Sequence, residues 1–197
     1  MKSVKKMKKR TMTWIIIAVI VVIVLLWFAG SYNGLVKADE TVDAKWANVE
    51  SAYQRRADLI PNLVETVKQY SDYEGDLFRD VTNARAAILS AKTPAQLQQA
   101  DNQLTSTLKS LFAVAENYPN LKANENYLSL QDELAGTENR IKTERDIYNE
   151  AVRTLNIKVR RFPTNIVAGI FGFEKGELFE ADEGAEEAVD VGDLFEA

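Results

Sequence analysis

The stretch VDAKWANVESAYQRRADLIPNLVETV, residues 42–67, decides the fold, because its apolar side chains recur at alternating spacings of three and four residues. The series begins at Tyr32 and continues to Ala91 without a change of register, and fifteen of its eighteen positions are apolar or aromatic. Such a series is typical of a long helix with a coiled-coil-like seam, and no strand pattern reproduces it. Because Pro61 lacks a backbone donor, we expect it to kink or interrupt this helix near residues 58–60.

Two further helices are predicted downstream. The second is expected over residues 94–118, since Thr93 and Pro94 provide an N-cap and a proline at the first helical position. The third is expected over about residues 124–160, with the same three-four spacing. Short connections make successive helices antiparallel, so we expect an up-down-up arrangement with the first and third helices parallel. The long first helix either protrudes as a stalk or folds at Pro61 into a fourth bundle member.

The residues before this series form an apolar run, residues 12–30, without a charged side chain. At about 1.5 Å per residue the run spans about 28 Å, close to the thickness of a bilayer's hydrocarbon core. Trp14 and Trp27 lie near its ends, where indole rings prefer the membrane interface. We therefore predict a transmembrane helix. The alternative is a cleaved signal peptide, which is disfavoured by the length of the run and by bulky Trp27 and Phe28 beside the cleavage site.

Charge is segregated along the chain, although the net charge is −5. The head, residues 1–11, carries six basic and no acidic residues, which places the N-terminus in the cytoplasm and the following domain outside it. Residues 31–173 are nearly balanced, and residues 174–197 are acidic and predicted to be disordered. Because residues 31–173 and 174–197 lack a basic face, nucleic-acid binding is not expected.

These features define the domain organisation. The fold class is all-α, with an N-terminal transmembrane helix followed by a long antiparallel three- to four-helix bundle. The segments are a basic cytoplasmic head (1–11), a transmembrane helix (12–30), a helical bundle domain (31–162), an apolar C-terminal flap (163–173) and an acidic tail (174–197). The flap is too short to cross a bilayer. We expect a strand-like or irregular cover over one end of the bundle, or alternatively a docking patch for a partner or a lipid surface.

The chain contains neither cysteine nor histidine. This excludes zinc sites built on those residues, thiol nucleophiles, disulfides and histidine-dependent triads. The sequence also lacks the glycine-rich motifs that bind phosphate groups. We therefore expect no cofactor, no metal and no catalytic residues.

Charged side chains at seam positions are the candidate site. Arg56 and Glu74 in the first helix, and Glu138 and Arg145 in the third, occupy positions that are normally apolar and need partners. We expect pairs between helices, such as Arg56 with Glu138 or Arg145 with Glu74. The full set of polar-seam or interaction candidates is Arg55, Arg56, Asp58, Glu74, Glu138, Asn139, Arg140, Arg145 and Asn149. We interpret the set first as a network that fixes helix register, then as a site for a ligand or partner helix, and last as catalytic carboxylates.

Several motifs resemble the LemA family of bacterial membrane proteins over about residues 12–180. They are Tyr32-Asn33 after the apolar run, YQRRADLIPNLVETVKQY at 53–70, GTENRI at 136–141 and RRFPTNIVAGIFGFE at 160–174. The resemblance implies one N-terminal membrane helix, a helical bundle and a place in the bacterial envelope, and it supplies no reaction. Some members of the family are described as working beside membrane-associated proteases, in envelope stress or in organelle-like membrane assembly. Family descriptions place the N-terminus outside the cytoplasm, whereas the basic head favours the opposite orientation.

These observations predict a non-enzymatic scaffold or adaptor, anchored in the bacterial plasma membrane, whose extracytoplasmic bundle binds protein partners. Self-association is a further expectation, because an exposed seam would pair with another helix. The alternative function is a sensor-like bundle that binds a ligand at the polar seam. A carboxylate hydrolase of envelope polymers is the third hypothesis.

Overall fold

The computed structural model of the 197-residue chain describes residues 2–70 and 75–180, without the side chains of residues 2–10. The helices in this part are α1 (Lys2–Lys68), α2 (Gly75–Ser90), α3 (Pro94–Ala115), α4 (Pro119–Lys122), α5 (Glu125–Arg160) and α6 (Thr164–Phe171). No strand occurs among the described residues, and the all-α fold class is confirmed.

The described residues form two compact units. We refer to residues 2–48 and 146–176 as the anchor unit, and to residues 49–70, 75–145 and 177–180 as the bundle unit.

The first part of α1 contains the predicted membrane span. Its apolar side chains are exposed around the whole helix from Met12 to Leu26, and Trp14 is 70% exposed. This helix is long enough and apolar enough to cross a bilayer. An apolar surface on every side of a helix suits lipid and not water.

In the anchor unit, the end of α5 packs antiparallel to α1. The Lys158 ammonium donates a hydrogen bond to the Gly34 carbonyl at 2.8 Å. Further along the pair, the Trp46 and Tyr148 rings lie 5.5 Å apart. The residue numbers rise on one helix as they fall on the other, which defines the antiparallel direction.

The apolar flap is helical. The strand-like or irregular structure expected for residues 163–173 is wrong, because α6 occupies Thr164–Phe171 and ends at Gly172, whose φ is 75°. Val167 and Ala168 of α6 are buried against Leu35 of α1. A short apolar run cannot be assigned to helix or strand from its periodicity alone, which explains the error.

In the bundle unit, α2 and α3 form a hairpin, and α3 begins as predicted. The Thr93 side chain accepts a hydrogen bond from the Gln96 backbone N–H, and Pro94 is the first residue of α3. The buried core of the unit comes from the end of α1, from α2 and α3, and from the start of α5. It includes Val49, Ile60, Leu63, Val81, Ala84, Leu104, Leu108, Leu111, Leu134 and Ile141.

Pro61 does not interrupt α1, which continues to Lys68. Proline removes the N–H that would bond to the carbonyl of Ala57, four residues earlier. That carbonyl instead accepts a hydrogen bond of 2.8 Å from Nε of Arg85 on α2. The predicted interruption near residues 58–60 is therefore wrong, and the last part of the apolar series lies on the separate helix α2.

The additional helix changes the topology. Within the bundle unit, the Asn124 side chain donates to the Tyr70 hydroxyl at 3.1 Å, and Arg55 lies 3.9 Å from Glu133. These contacts make α5 antiparallel to α1, so the predicted parallel arrangement of the first and third long helices is wrong. The chain reverses direction between α1 and α2, which gives one long helix more than the three that were predicted. As a result, α1, α2, α3 and α5 alternate in direction.

The start of the acidic tail is fixed to the helices. In the anchor unit, the Asn156 side chain accepts from the Gly176 N–H at 2.9 Å and donates to the Gly176 carbonyl at 3.1 Å. In the bundle unit, Phe179 is only 4% exposed. The disorder predicted for the tail therefore does not hold for residues 174–180, and residues 181–197 lie outside the described part of the chain.

Candidate functional site

The candidate site is a polar network inside the bundle unit, centred on Arg56 of α1. Arg56 is 3% exposed. Its Nη1 donates to Oδ1 of Asp101 on α3 at 2.7 Å, and its Nη2 donates to the Thr105 hydroxyl at 3.3 Å. The other carboxylate oxygen of Asp101 accepts from the Tyr53 hydroxyl at 3.1 Å. Both carboxylate oxygens of Asp101 are therefore hydrogen-bonded to side chains of α1.

The low polarity of this region affects the protonation of its members. Burial raises the pKa of Tyr53 well above the ordinary value for a phenol, and the negative charge of Asp101 acts in the same direction. Burial also raises the pKa of Asp101, while the positive charge of Arg56 opposes that rise. The Nε of Arg56 is buried and has no hydrogen-bond partner among the described residues.

Two predicted residues of α5 lie next to this network. Glu138 is 3.9 Å from Nη2 of Arg56, but its side chain is 64% exposed, so Asp101 is the closer partner of Arg56. The Arg145 guanidinium lies 4.9 Å from the centre of the Phe179 ring. It also donates to the Glu180 carbonyl at 3.1 Å. The structure therefore brings Arg56 and Glu138 together, and Arg145 holds the chain's own C-terminal segment.

Gln98 of α3 holds the same segment from another helix. Its side chain accepts from the Glu180 N–H at 3.1 Å and donates to the Glu180 carbonyl at 3.4 Å. Residues 177–180 are thus fixed in the bundle unit by both α3 and α5.

The remaining candidates do not join the network. Arg55 is exposed and lies near Glu133, and the exposed Asp58 accepts a hydrogen bond from Gln54 at 2.9 Å. Asn139 and Arg140 are exposed on α5, and Asn149 is partly buried in the anchor unit. Glu74 lies outside the described residues.

Sequence reasoning missed Asp101, Tyr53 and Thr105 as members of the site. Asp101 occupies a position in the apolar stripe of the second helix, so an acidic partner for Arg56 was visible in the pattern. The pairing depends on the register between α1 and α3, which the spacing within one helix does not specify.

The arrangement is suited to holding helices together. The charges of Arg56 and Asp101 neutralise each other, and each side chain also hydrogen-bonds to a hydroxyl group. The pair links α1 to α3. Within the part of the chain that the structure describes, no group of three or more acidic side chains is placed to hold a metal ion.

Comparison with known proteins identifies the family. Residues 45–192 match the sequence model of the LemA family. The chain belongs to the LemA family. This confirms the resemblance of the YQRRADLIPNLV, GTENRI and RRFPTNIVAGIFGFE motifs.

Curated relatives of this LemA-family protein include Magnetosome protein MamQ 2 of Paramagnetospirillum magneticum, which is 27% identical over 84% of this chain and 70% of the relative. Magnetosome protein MamQ of Magnetospirillum gryphiswaldense is 25% identical over 75% of this chain and 64% of the relative. Protein LemA of Metamycoplasma hominis is 24% identical over 85% of this chain and 77% of the relative. Family membership, these relatives and the apolar helix support a single-pass, membrane-associated helical protein. None of the relatives' names states a reaction.

Proposed function

We propose that this LemA-family protein is a non-enzymatic scaffold or adaptor whose bundle binds protein partners at the membrane that α1 crosses. The observation that carries the proposal is an exposed glycine, Gly136, in the interior of α5. Glycine inside a helix destabilises it by about 0.5–1 kcal/mol relative to alanine. A Cβ atom added at Gly136 would have none of the described residues within 4 Å, so packing within that part of the chain does not require glycine there.

The surroundings of Gly136 suit a protein partner. Glu133 and Arg140 lie three and four residues away on α5, and therefore share a side of the helix with Gly136. Both are exposed, and Arg55 of α1 lies 3.9 Å from Glu133. A missing side chain between charged groups lets the backbone of a partner helix approach closely, while the charges select its orientation.

The internal network argues against catalysis. Arg56 and Asp101 bond to each other and to hydroxyl groups of the same bundle unit. The Glu138 side chain is 64% exposed, whereas a carboxylic acid that catalyses hydrolysis is held in a cleft against its substrate. We assign the network the role of fixing the register of α1 against α3.

The six basic residues of the head support an orientation with the N-terminus in the cytoplasm and the bundle outside the plasma membrane. Three relatives are named magnetosome proteins, which is consistent with a role in a membrane-associated assembly. Self-association of the bundle is a subsidiary part of the proposal.

Site-specific photocrosslinking in intact cells tests the proposal. A photoreactive amino acid at Arg140 is expected to give a discrete adduct with another protein, and Gly136→Trp is expected to abolish it by occupying the gap. Ala135→Trp is the matched control, since Ala135 is an exposed neighbour on another side of α5. Adducts with only the chain itself, or an adduct that survives Gly136→Trp, would contradict partner binding at this surface.

One observation favours ligand binding as a second function, namely the buried Nε of Arg56 without a partner among the described residues. An N–H donor of this kind would bind a carboxylate or carbonyl oxygen of a small ligand. A thermal-shift screen of small carboxylates tests this function, because a ligand of the native state raises Tm. A rise in wild type that Arg56→Met removes would support it, and no rise at any concentration would reject it.

A further inference from the structure

Helix α6 is apolar on both of its sides, although only one side contacts the rest of the anchor unit. Val167 and Ala168 are buried against Leu35. Ile166 and Ile170, four residues apart on one face of α6, are 52% and 63% exposed. Large apolar side chains on a helix face that does not pack within the chain normally contact an apolar surface of another kind. The face of Ile166 and Ile170 therefore needs an apolar environment that the anchor unit does not provide.

The ring contacts of Phe171, the neighbour of Ile170, place the end of α6 beside the end of the membrane span. The centre of the Phe171 ring lies 5.8 Å from the centre of the Phe28 ring and 4.6 Å from that of the Tyr32 ring. Phe28 belongs to the apolar run 12–30, and Tyr32 follows that run. The centres of the Phe173 and Tyr32 rings lie 6.0 Å apart. Since the end of α6 lies beside the end of the span, a bilayer crossed by α1 is the nearest apolar environment for the exposed face.

The composition of this region matches a membrane interface. Eight residues make α6 only about 12 Å long, far short of a bilayer crossing of about 30 Å. The exposed side chains include an aromatic ring, Phe162, directly before α6. Arg160 and Arg161 precede that ring and are exposed. Apolar side chains next to arginines are typical of helices that lie in the interface of a bilayer with anionic headgroups.

We infer that α6 is a second membrane-binding element, which lies in the interface of the bilayer crossed by α1, inserts Phe162, Ile166 and Ile170 among the acyl chains, and binds anionic phospholipid headgroups through Arg160 and Arg161. The inference goes beyond partner binding by the bundle and depends only on α1 being inserted. It makes the anchor unit a two-point attachment to the membrane, one across the bilayer and one along its surface.

Depth-dependent fluorescence quenching of the full chain in vesicles tests the inference. Because the chain has no cysteine, single cysteines can be introduced at Ile166 and Ile170 and labelled with an environment-sensitive dye. A third label at Val21 reports insertion of the span. Ile147 is the matched control, since it is an exposed isoleucine of the same unit that lies 13 residues before Arg160 on α5, about 20 Å along the helix.

The vesicles contain phosphatidylcholine with or without phosphatidylglycerol, and a fraction of the lipid carries a spin label on its acyl chain. We expect the labels at Ile166, Ile170 and Val21 to be quenched at least about twofold more than the label at Ile147. Phosphatidylglycerol is expected to increase the quenching at Ile170, and the double variant Arg160→Gln, Arg161→Gln is expected to remove that increase. The variant Arg153→Gln, at an exposed arginine of the same unit, is expected to retain that increase.

Three results would overturn the inference. Labels at Ile166 and Ile170 that behave like the label at Ile147 would show a water-exposed face. A blue-shifted emission without quenching by lipid would show that protein, and not lipid, covers the face. An unquenched label at Val21 would refute the insertion of α1 as well, and this outcome is distinct from failure of α6 alone.

Discussion

Arg56 and Asp101 carry opposite charges in a part of the bundle unit from which water is largely excluded. Removing one member of such a pair leaves the other as an uncompensated buried charge, whereas replacing both with apolar side chains avoids that penalty. This asymmetry agrees with the role that we propose for the pair, namely to fix the register of α1 against α3. This distinction leads to a double-mutant test.

We expect Arg56→Leu and Asp101→Leu each to lower the free energy of unfolding by about 3–5 kcal/mol. The double variant is expected to recover most of that loss, because no buried charge remains. Urea unfolding of the full chain in detergent, followed by circular dichroism, measures all three. The control Arg55→Leu changes an exposed neighbour and is expected to stay within about 0.5 kcal/mol of wild type. Additive losses in the double variant would contradict this account.

Tyr53 gives a pH prediction with a defined sign. Its pKa is raised in the folded state, so at a pH above its ordinary pKa of 10.0 the folded protein retains a proton that the unfolded chain has lost. The stabilisation from this group is complete below that pH and is lost as the pH rises further. We expect wild type to lose stability relative to Tyr53→Phe as the pH rises above about 10, as measured by urea unfolding. Parallel stability curves for the two proteins would refute it.

The positions of some helices were predictable from the sequence, whereas the ends of others were not. The three-four spacing predicted helical structure over the parts of the chain that form α1, α2, α3 and α5, and Thr93-Pro94 predicted the start of α3. The end of α1 at Lys68 was not visible, because the apolar series continues in register across the connection to α2. The sequence of α1 also did not show that the helix continues through Pro61, since this depends on a hydrogen bond from Arg85 of another helix. Local patterns specify helices, whereas contacts between helices decide where they end.

The hydrogen bond between Arg85 and the Ala57 carbonyl predicts an energetic coupling between Arg85 and Pro61. With Pro61 present, Arg85→Met leaves that carbonyl without a donor and is expected to cost about 1–3 kcal/mol. In the Pro61→Ala background the restored backbone N–H at position 61 supplies the donor, and the same change is expected to cost about 1 kcal/mol less. Arg79→Met, at an exposed arginine of α2, is the control and should show no coupling. Equal effects of Arg85→Met in both backgrounds would argue against the compensation.

The C-terminal segment gives a prediction about local stability. Asn156→Ala removes both hydrogen bonds to the Gly176 backbone. We expect amide hydrogen exchange at Gly176 to accelerate by about tenfold or more, with little change in the core of α1. Asn62→Ala, at an exposed asparagine of α1, is expected to leave that exchange rate unchanged. Unchanged exchange in Asn156→Ala would show that other contacts hold the segment.

For the whole molecule, orientation in the membrane decides on which side of it the proposed partners of the bundle would have to lie. The basic head predicts a cytoplasmic N-terminus. Reporter fusions at both ends of the full chain are expected to show cytoplasmic activity at the N-terminus and extracytoplasmic activity at the C-terminus. Replacing the six basic residues of the head with glutamine should weaken this preference, since the charge asymmetry sets it. A cytoplasmic C-terminal reporter in the unmodified chain would reverse the orientation and exclude extracytoplasmic partners.

The hydrogen bond from Arg85 to the Ala57 carbonyl also constrains how the chain can evolve. A lineage that first replaces Pro61 restores an ordinary helical hydrogen bond, and Arg85 then becomes free to change. A lineage that first replaces Arg85 passes through a less stable intermediate. The change at position 61 is therefore tolerated first more readily than the change at position 85, and descendants that retain the proline should also retain the arginine.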